Sequence, residues 1–184
     1  WVWQATTMAR QLDGGPTGYD CISHAAVAKN VLTVGAVNGI AGGYSSAGQV
    51  VMSSFSGWGP TDDGRIKPDI VGKGVSVYSP ITGTNNSSYD TYNGTSMASP
   101  GAAASLFLLQ ELSQQIVPNK FMRSATIKGL AIHTANEAGL FPGPDYKFGW
   151  GLLNIGEAAT VLSNALTNKN SSSSVDLVYE NFLE

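Results

Sequence analysis

The sequence contains very little cysteine and very little charge. Cys21 is the single cysteine among 184 residues, which excludes an internal disulfide and leaves a cysteine-based metal cluster without a second ligand. Charged residues make up 12% of the chain and the net charge is −3, so we expect no nucleic-acid partner, because such partners require a basic surface. The chain also lacks an apolar run of about 18 residues, the length that indicates a transmembrane helix, and we expect no membrane span.

The residues that are abundant favour a globular α/β domain. Hydrophobic residues account for 42% of the chain and glycine for 22 positions, which indicates a compact, loop-rich domain with a real core. Residues 31–37 form an apolar run without clean alternation, typical of a strand buried on both faces in a parallel sheet. Short strands are expected at residues 50–56 and 75–78, and helices at residues 121–135 and 155–166.

One short stretch combines features that suit a nucleophilic serine. Residues 92–100 read YNGTSMASP and precede a small-residue run and an apolar block. This pattern predicts an extended segment that turns into a buried helix, with Ser96 in the first helical turn. The first N–H groups of a helix have no acceptor within the helix, and the helix dipole favours negative charge nearby. An oxyanion that forms beside Ser96 would therefore meet donors already in place.

The neighbours of Ser96 support this interpretation. Gly94 permits a tight approach and unusual backbone angles. Pro100 cannot donate a hydrogen bond to the carbonyl of Ser96, four residues earlier, so the first turn is loosened at the candidate nucleophile. The alternative is that Thr95 or Ser96 serves only as the N-cap of a core helix.

Residues 94–100, which read GTSMASP, resemble the serine signature of the subtilisin-like serine peptidases, known as subtilases or peptidase S8. Four further segments are similar to parts of the same family: residues 31–37, 55–60, 67–70 and 148–154. The resemblance covers roughly residues 22–166 and implies an α/β fold, a mostly parallel sheet with helices on both sides. It implies that Ser96 is the nucleophile and a backbone oxyanion donor, supported within the motif by Gly94, Thr95 and Pro100.

The function implied by the resemblance is that of a serine endopeptidase, which hydrolyses peptide bonds through an acyl-enzyme on Ser96. The family's base is a histidine held by an aspartate, and both precede the serine in the chain. No matching histidine motif occurs here, so we expect His24 to be a hydrogen-bonded residue near the substrate cleft and His133 to be structural. The chain is therefore interpreted as the C-terminal part of a catalytic domain. With the N-terminal half absent, the fold would be incomplete and the isolated chain inactive.

The same resemblance implies partners for the chain. Two alternative functions are kept beside that of a serine endopeptidase. A polypeptide is the expected substrate, and the N-terminal half of the catalytic domain or a complementary chain is the expected partner of the exposed sheet edge. A secreted or cell-surface location is implied by the family. The first alternative is a subtilase-like binding or scaffolding module that never cleaves. The second is a hydrolase with a Ser–Lys dyad, for which Lys73 is the lysine nearest to Ser96 in sequence.

Asp69 has two interpretations. The implied chemistry requires no cofactor, but in some subtilases the corresponding aspartate joins backbone carbonyls to hold a weakly bound cation. The carbonyls near Ala26, Ala28 and Val31 would be the other ligands, and an oxygen-only site suits calcium or sodium. A second carboxylate that some members have two residues earlier is Lys67 here. A turn-stabilising aspartate is therefore the favoured interpretation.

The chain is expected to divide into three parts. Residues 1–21 are predicted to be a surface excursion or insertion, and residues 22–166 the C-terminal part of a subtilase catalytic domain. Residues 167–184 begin with a Ser/Asn-rich stretch typical of a linker. They continue into an alternating segment that would be the first strand of a further β domain.

Overall fold

The computed structural model describes residues 2–4, 21–22, 24–83, 87–119 and 121–167. Its regular elements are, in chain order, β1 (Val2–Gln4), β2 (Leu32–Val37), β3 (Ile70–Lys73), β4 (Val77–Pro80), β5 (Tyr89–Tyr92), α1 (Thr95–Ile116), α2 (Ser124–His133) and α3 (Ile155–Thr167). Two short 3-10 turns, His24–Val27 and Ala47–Gln49, lie in the connections. Of the linker and following strand predicted at residues 167–184, Thr167 ends α3 and the rest lies outside the described part of the chain.

The centre of the fold is a parallel sheet of three strands in the order β1, β2, β3. β2 is the middle strand, with Leu32 opposite Val2 on one side and Val34 opposite Ile70 on the other. All six residues of β2 are buried. The structure therefore confirms the α/β class and the doubly buried parallel strand predicted at residues 31–37.

The position of β1 corrects one expectation. The sequence predicts a surface excursion for residues 1–21, but Val2–Gln4 form a strand of the central sheet. Three residues are too few to show the periodicity by which a strand is predicted from sequence. Residues 5–20 lie outside the described part of the chain, so for them the excursion stays a prediction.

One face of the sheet carries the larger apolar core. Leu32, Val34 and Ala36 alternate along β2 and pack on this face against α1. The residues that α1, α2 and α3 contribute are Ala98, Ala102, Leu106, Leu109, Leu130, Ala131, Ala158 and Leu162. The first two of these are alanines, and their small side chains let the start of α1 approach the sheet closely.

The opposite face is covered by loops and by the helical turn His24–Val27. The hydroxyl of Thr33 donates to the carbonyl of Ala26, in this turn, at 2.7 Å. At the other end of β2, Val37 packs in a second apolar cluster with Phe148. The three α-helices of the described residues therefore share one side of the sheet.

The short strand predicted at residues 50–56 does not form. Met52 makes only an isolated antiparallel bridge to Val37. The chain turns directly afterwards, because the Ser56 N–H donates to the Ser53 carbonyl at 3.3 Å. The apolar and β-branched composition of this segment predicts pairing, but the turn ends it after one residue.

β4 and β5 form a separate antiparallel hairpin, with Val77 opposite Tyr92. The strand predicted at residues 75–78 therefore lies two residues later, at Val77–Pro80. The shift has a backbone cause, since Ser76 has a φ of 52°, in the left-handed region that a strand residue does not adopt.

The two helices predicted at residues 121–135 and 155–166 are confirmed as α2 and α3. The helix predicted to follow the serine motif is confirmed as α1, which has 22 residues. Within the described residues, no α-helix combines the length and the apolar content that crossing a lipid bilayer requires.

Candidate active site

The residues before Ser96 are tied to the carboxyl end of the parallel sheet. The Gly74 N–H donates to the carbonyl of Val37, the last residue of β2, at 3.0 Å. The Gly94 N–H in turn donates to the Gly74 carbonyl at 2.8 Å. Ligands of open parallel α/β folds bind at this end of the strands. The first turn of α1 therefore lies where such folds bind their substrates.

The packing at Gly74 is close enough to require glycine. A Cβ atom built there would lie 2.6 Å from the Cβ of Ala36 and 2.7 Å from the carbonyl oxygen of Gly94. Gly94 is also tightly placed, since a Cβ atom there would lie 3.3 Å from the sulfur of Met97. The start of α1 thus touches the sheet with no space for an added methyl group.

In the first turn of α1, two neighbouring hydroxyl residues, Thr95 and Ser96, differ in their exposure to solvent. Gly94 is the N-cap, and its carbonyl accepts from the Met97 N–H at 3.0 Å. Thr95 is completely buried, whereas Ser96 is exposed. The alternative that Thr95 or Ser96 is the N-cap is therefore wrong. Ser96 is instead an accessible residue at the positive end of a helix.

Pro100 lies inside α1, four residues after Ser96. It has no N–H, so it cannot supply the hydrogen bond that the Ser96 carbonyl would accept in a regular helix. The helix continues to Ile116 in spite of the proline. The missing bond is thus confined to the turn that carries the candidate nucleophile.

Asn93 holds the backbone that leads into the serine motif. Its side-chain oxygen accepts a hydrogen bond from the Ser76 N–H at 2.6 Å. The left-handed residue between β3 and β4 is thereby bound to the segment before Ser96. Asn93 and Gly74 are supporting residues that the serine motif does not identify. In the local sequence, only the identity of Gly74 as a glycine directly after β3 indicates a special backbone position there.

An aromatic surface lies on the hairpin that leads to Ser96. Tyr78 of β4 and Tyr89 of β5 stack with ring centroids 5.3 Å apart and planes at 19°. Both residues are more than half exposed, and Tyr92, four residues before Ser96, is 44% exposed. Exposed aromatic rings offer apolar contact to a ligand. By the strand register, Tyr78 and Tyr89 share one face of the hairpin and Tyr92 lies on the other. The sequence pattern does not single out the Tyr78–Tyr89 pair, because their common face depends on this register.

The other residues considered as catalytic groups lie on separate elements. His133 is the last residue of α2 and is exposed, and His24 begins a short helical turn. The side chain of Lys73 lies over Gly39, where a Cβ atom would come within 3.1 Å of the lysine Cε. This position gives a Ser–Lys dyad no support.

Asp69, the candidate cation ligand, is buried and accepts several hydrogen bonds. Its Oδ2 accepts from the Thr33 N–H at 2.6 Å and from Lys67 Nζ at 2.6 Å, and its Oδ1 lies 3.0 Å from Lys128 Nζ. Burial lowers the pKa of Lys67, and the hydrogen bond to Asp69 acts in the opposite direction. Asp69 therefore contacts Lys67, two residues before it, as well as Thr33 and Lys128 from distant elements, so its contacts extend beyond a local turn. Lys128 is not predictable as its partner, because it lies far away in sequence on α2.

Comparison with known proteins places this chain beside a large group of proteases. A family model described as the subtilase family, peptidase S8, matches residues 15–151. This match includes the central sheet from β2 onward, the serine motif and most of the helical layer.

Individual relatives match shorter regions. A C5a peptidase of Streptococcus pyogenes is 40% identical over 68 residues, which is 37% of this chain and 6% of that protein. The serine protease AprX of Bacillus subtilis is 32% identical over 111 residues, 54% of this chain and 24% of that protein. The structure of the CspB protease of Clostridium perfringens superimposes with a TM-score of 0.66 and 27% identity, over 79% of this chain and 30% of that one. The chain thus spans less than a third of each of these proteins.

Proposed function

Because the chain belongs to the subtilase family, we propose that it carries the nucleophile of a serine endopeptidase and that Ser96 is this nucleophile. The observation that carries the proposal is the contrast in the first turn of α1, where Thr95 is buried and Ser96 is exposed. A nucleophile must reach its substrate. An exposed serine at the positive end of a helix meets this requirement and favours the negative charge that the reaction creates.

The reaction proceeds in two halves. The Ser96 oxygen attacks the carbonyl carbon of a peptide bond while a general base takes the hydroxyl proton. The Ser96 N–H and the dipole of α1 stabilise the tetrahedral oxyanion, the C–N bond breaks, and the base returns the proton to the leaving amine. Water then attacks the acyl-enzyme with the help of the same base, which releases the carboxylic acid and restores the serine.

The general base belongs, in this proposal, to an upstream part of the parent protein. Subtilases carry their aspartate and histidine before the serine, and the matched relatives contain much more chain than the aligned region. A serine hydroxyl is a poor nucleophile until a base takes its proton. We therefore expect the isolated 184-residue chain to be inactive. A secreted or cell-surface parent is part of the same proposal.

The surface of α1 supports an upstream partner. Phe107 and Leu108 are 79% and 61% exposed, although large apolar side chains in the middle of a helix are usually covered. These exposed apolar side chains are expected if α1 also packs against the N-terminal half of the catalytic domain.

Labelling with a fluorophosphonate tests the proposal, since such reagents modify a serine that a base has activated. The reagent is applied to the 184-residue chain alone and to the full parent protein, and mass spectrometry locates the modified residue. We expect label on Ser96 in the parent and none on the isolated chain. In the parent, Ser96→Ala should lower kcat on a peptide substrate by about 10⁴-fold or more and leave thermal unfolding unchanged.

Ser105→Ala is the matched control. Ser105 lies on the same helix, and its hydroxyl donates to the Gly101 carbonyl at 2.9 Å, so this variant should be labelled and should cleave like the wild type. Hydrolysis by the isolated chain that Ser96→Ala abolishes would refute an upstream base. A parent protein that is neither labelled nor active would identify the chain as part of a subtilase-like binding or scaffolding module.

A further inference from the structure

Two lysine ammonium groups contact the end of the segment that leads into β2. Lys67 Nζ donates to the Val31 carbonyl at 2.8 Å and to Asp69 Oδ2 at 2.6 Å. Lys128 Nζ donates to the same carbonyl at 3.1 Å and lies 3.0 Å from Asp69 Oδ1. The two lysines thus bridge one carboxylate and one backbone carbonyl. The side chain of Lys67 is only 3% exposed, so its charge is held almost entirely by these partners.

Neighbouring carbonyls of the same segment also bind side chains of this chain. Arg65 Nη1 donates to the Val27 carbonyl at 2.6 Å, and the Thr33 hydroxyl donates to the Ala26 carbonyl at 2.7 Å. Of the carbonyl oxygens expected to ligate a cation, those of Ala26 and Val31 are therefore already bound by protein donors.

A metal ion does not fit these contacts. Calcium takes 6–8 oxygen ligands at about 2.3–2.6 Å, whereas both oxygens of Asp69 are bound by nitrogen donors. An ion between Asp69 and the Val31 carbonyl would collide with the ammonium of Lys67 and be repelled by its charge. Within the described residues, no group of three or more His, Cys, Asp or Glu side chains is placed to hold a metal.

We propose that Lys67 and Lys128 replace a structural cation in this chain. Their ammonium groups neutralise Asp69 and bind the start of β2, which is the work that a bound calcium or sodium ion would otherwise do. Because these charges are covalently attached, their presence at the cluster does not depend on the ions in solution. The stability of the fold is therefore independent of the calcium and sodium concentrations.

Thermal unfolding of the wild-type chain tests this independence. The chain is melted in EDTA with a bulky organic cation as the only salt, and again with calcium chloride or sodium chloride. An ion present at 100 times its Kd would raise Tm by about 5–10 °C. We expect a shift below about 2 °C. A rise of the larger size would overturn the proposal.

Lys67→Met tests whether the charge is required. Methionine keeps an apolar stem but removes the donor that Asp69 and the Val31 carbonyl share. We expect Tm to fall by about 6–20 °C, because a buried carboxylate loses a partner. Lys29→Met changes an exposed lysine of the same segment and should melt like the wild type. An unchanged Tm for Lys67→Met would contradict the proposed role.

Lys67→Glu tests whether the cluster occupies a cation position. Combined with Lys128→Met, the substitution places a second carboxylate beside Asp69 and removes both ammonium groups, which leaves oxygen ligands of the kind that calcium prefers. We expect this variant to melt below the wild type in EDTA and to regain at least half of the lost Tm in calcium chloride. A failure to respond to calcium would refute the cation position. If the variant does not fold in either solution, the melts of the wild type and of Lys67→Met decide.

Discussion

Replacing Gly74 by alanine should destabilise the chain and displace the first turn of α1. The new methyl carbon would lie 2.6 Å from Ala36 Cβ and 2.7 Å from the Gly94 carbonyl oxygen, and neither atom ends a flexible side chain. Overpacking of this kind costs about 1–3 kcal/mol. Because both contacts are far inside van der Waals distance, we expect the free energy of unfolding to fall by about 3 kcal/mol.

Gly101→Ala is the matched control. Gly101 lies within α1, and a Cβ atom there would meet nothing within 4 Å. Alanine in place of glycine inside a helix stabilises by about 0.5–1 kcal/mol. The same glycine-to-alanine change should therefore lower the free energy of unfolding at Gly74 and raise it at Gly101. Urea denaturation of the chain, with linear extrapolation to water, measures both free energies of unfolding.

The displacement should also reach Ser96, since Gly94 binds the Gly74 carbonyl at 2.8 Å and begins the turn that carries the serine. In the parent protein, a fluorophosphonate should label Ser96 more slowly in Gly74→Ala than in Gly101→Ala, at a temperature where both are folded. Equal free energies of unfolding for the two variants would refute the close packing at Gly74. Equal labelling rates would refute its role in positioning Ser96.

Two further predictions concern a surface ion pair and the core. Hydrogen bonds from Arg65 and Thr61 lower the pKa of Asp63 from 3.8 to about 2, so Asp63 stabilises the fold above about pH 4 and this contribution is lost as the pH falls through about 2. Carbon-13 NMR titration should find this pKa and show that Arg65→Met raises it toward 3.8; a wild-type value near 3.8 would contradict the hydrogen bonds. Leu109 is 1% exposed, so Leu109→Ala should lower the free energy of unfolding in urea by about 2–5 kcal/mol. Leu108→Ala, at an exposed position of the same helix, should change it by about 0.5 kcal/mol or less, and equal losses would contradict the assignment of the core face.

The start of α1 is predictable from sequence because its determinants are local. Gly94, Ser96 and Pro100 lie within seven residues, and the apolar block whose Leu106 and Leu109 enter the core follows in the same helix. The central strand at residues 31–37 is predictable for a similar reason, since a β-rich apolar run without clean alternation is typical of a strand covered on both faces. Neither inference requires knowledge of what packs against the segment.

The supports of the site are not predictable in the same way because they come from distant parts of the chain. Gly74 acts through Val37 and Gly94, and nothing in its immediate sequence indicates two such neighbours. Lys128 reaches Asp69 from a helix that follows the serine motif. A local pattern identifies the aspartate as a polar residue in an apolar segment, but its charged partners become visible only in the fold.

Different interactions hold the two ends of the central strand. The interactions at its start determine mainly the stability of the fold, and those at its end determine mainly the geometry of the candidate site. At its start, charged side chains such as Lys67 bind the backbone near Val31. At its end, Val37 contacts Gly74 through one backbone hydrogen bond, and uncharged close packing positions the next segment. β2 has six residues, so these ends lie about 16 Å apart at 3.3 Å per residue. Loss of a charge at the start lowers the fraction of folded molecules, but the far end of each folded molecule keeps its contacts. A methyl group at Gly74 alters the first turn of α1 in every folded molecule, and the reactivity of Ser96 therefore depends on this uncharged contact more directly than on the ion pairs.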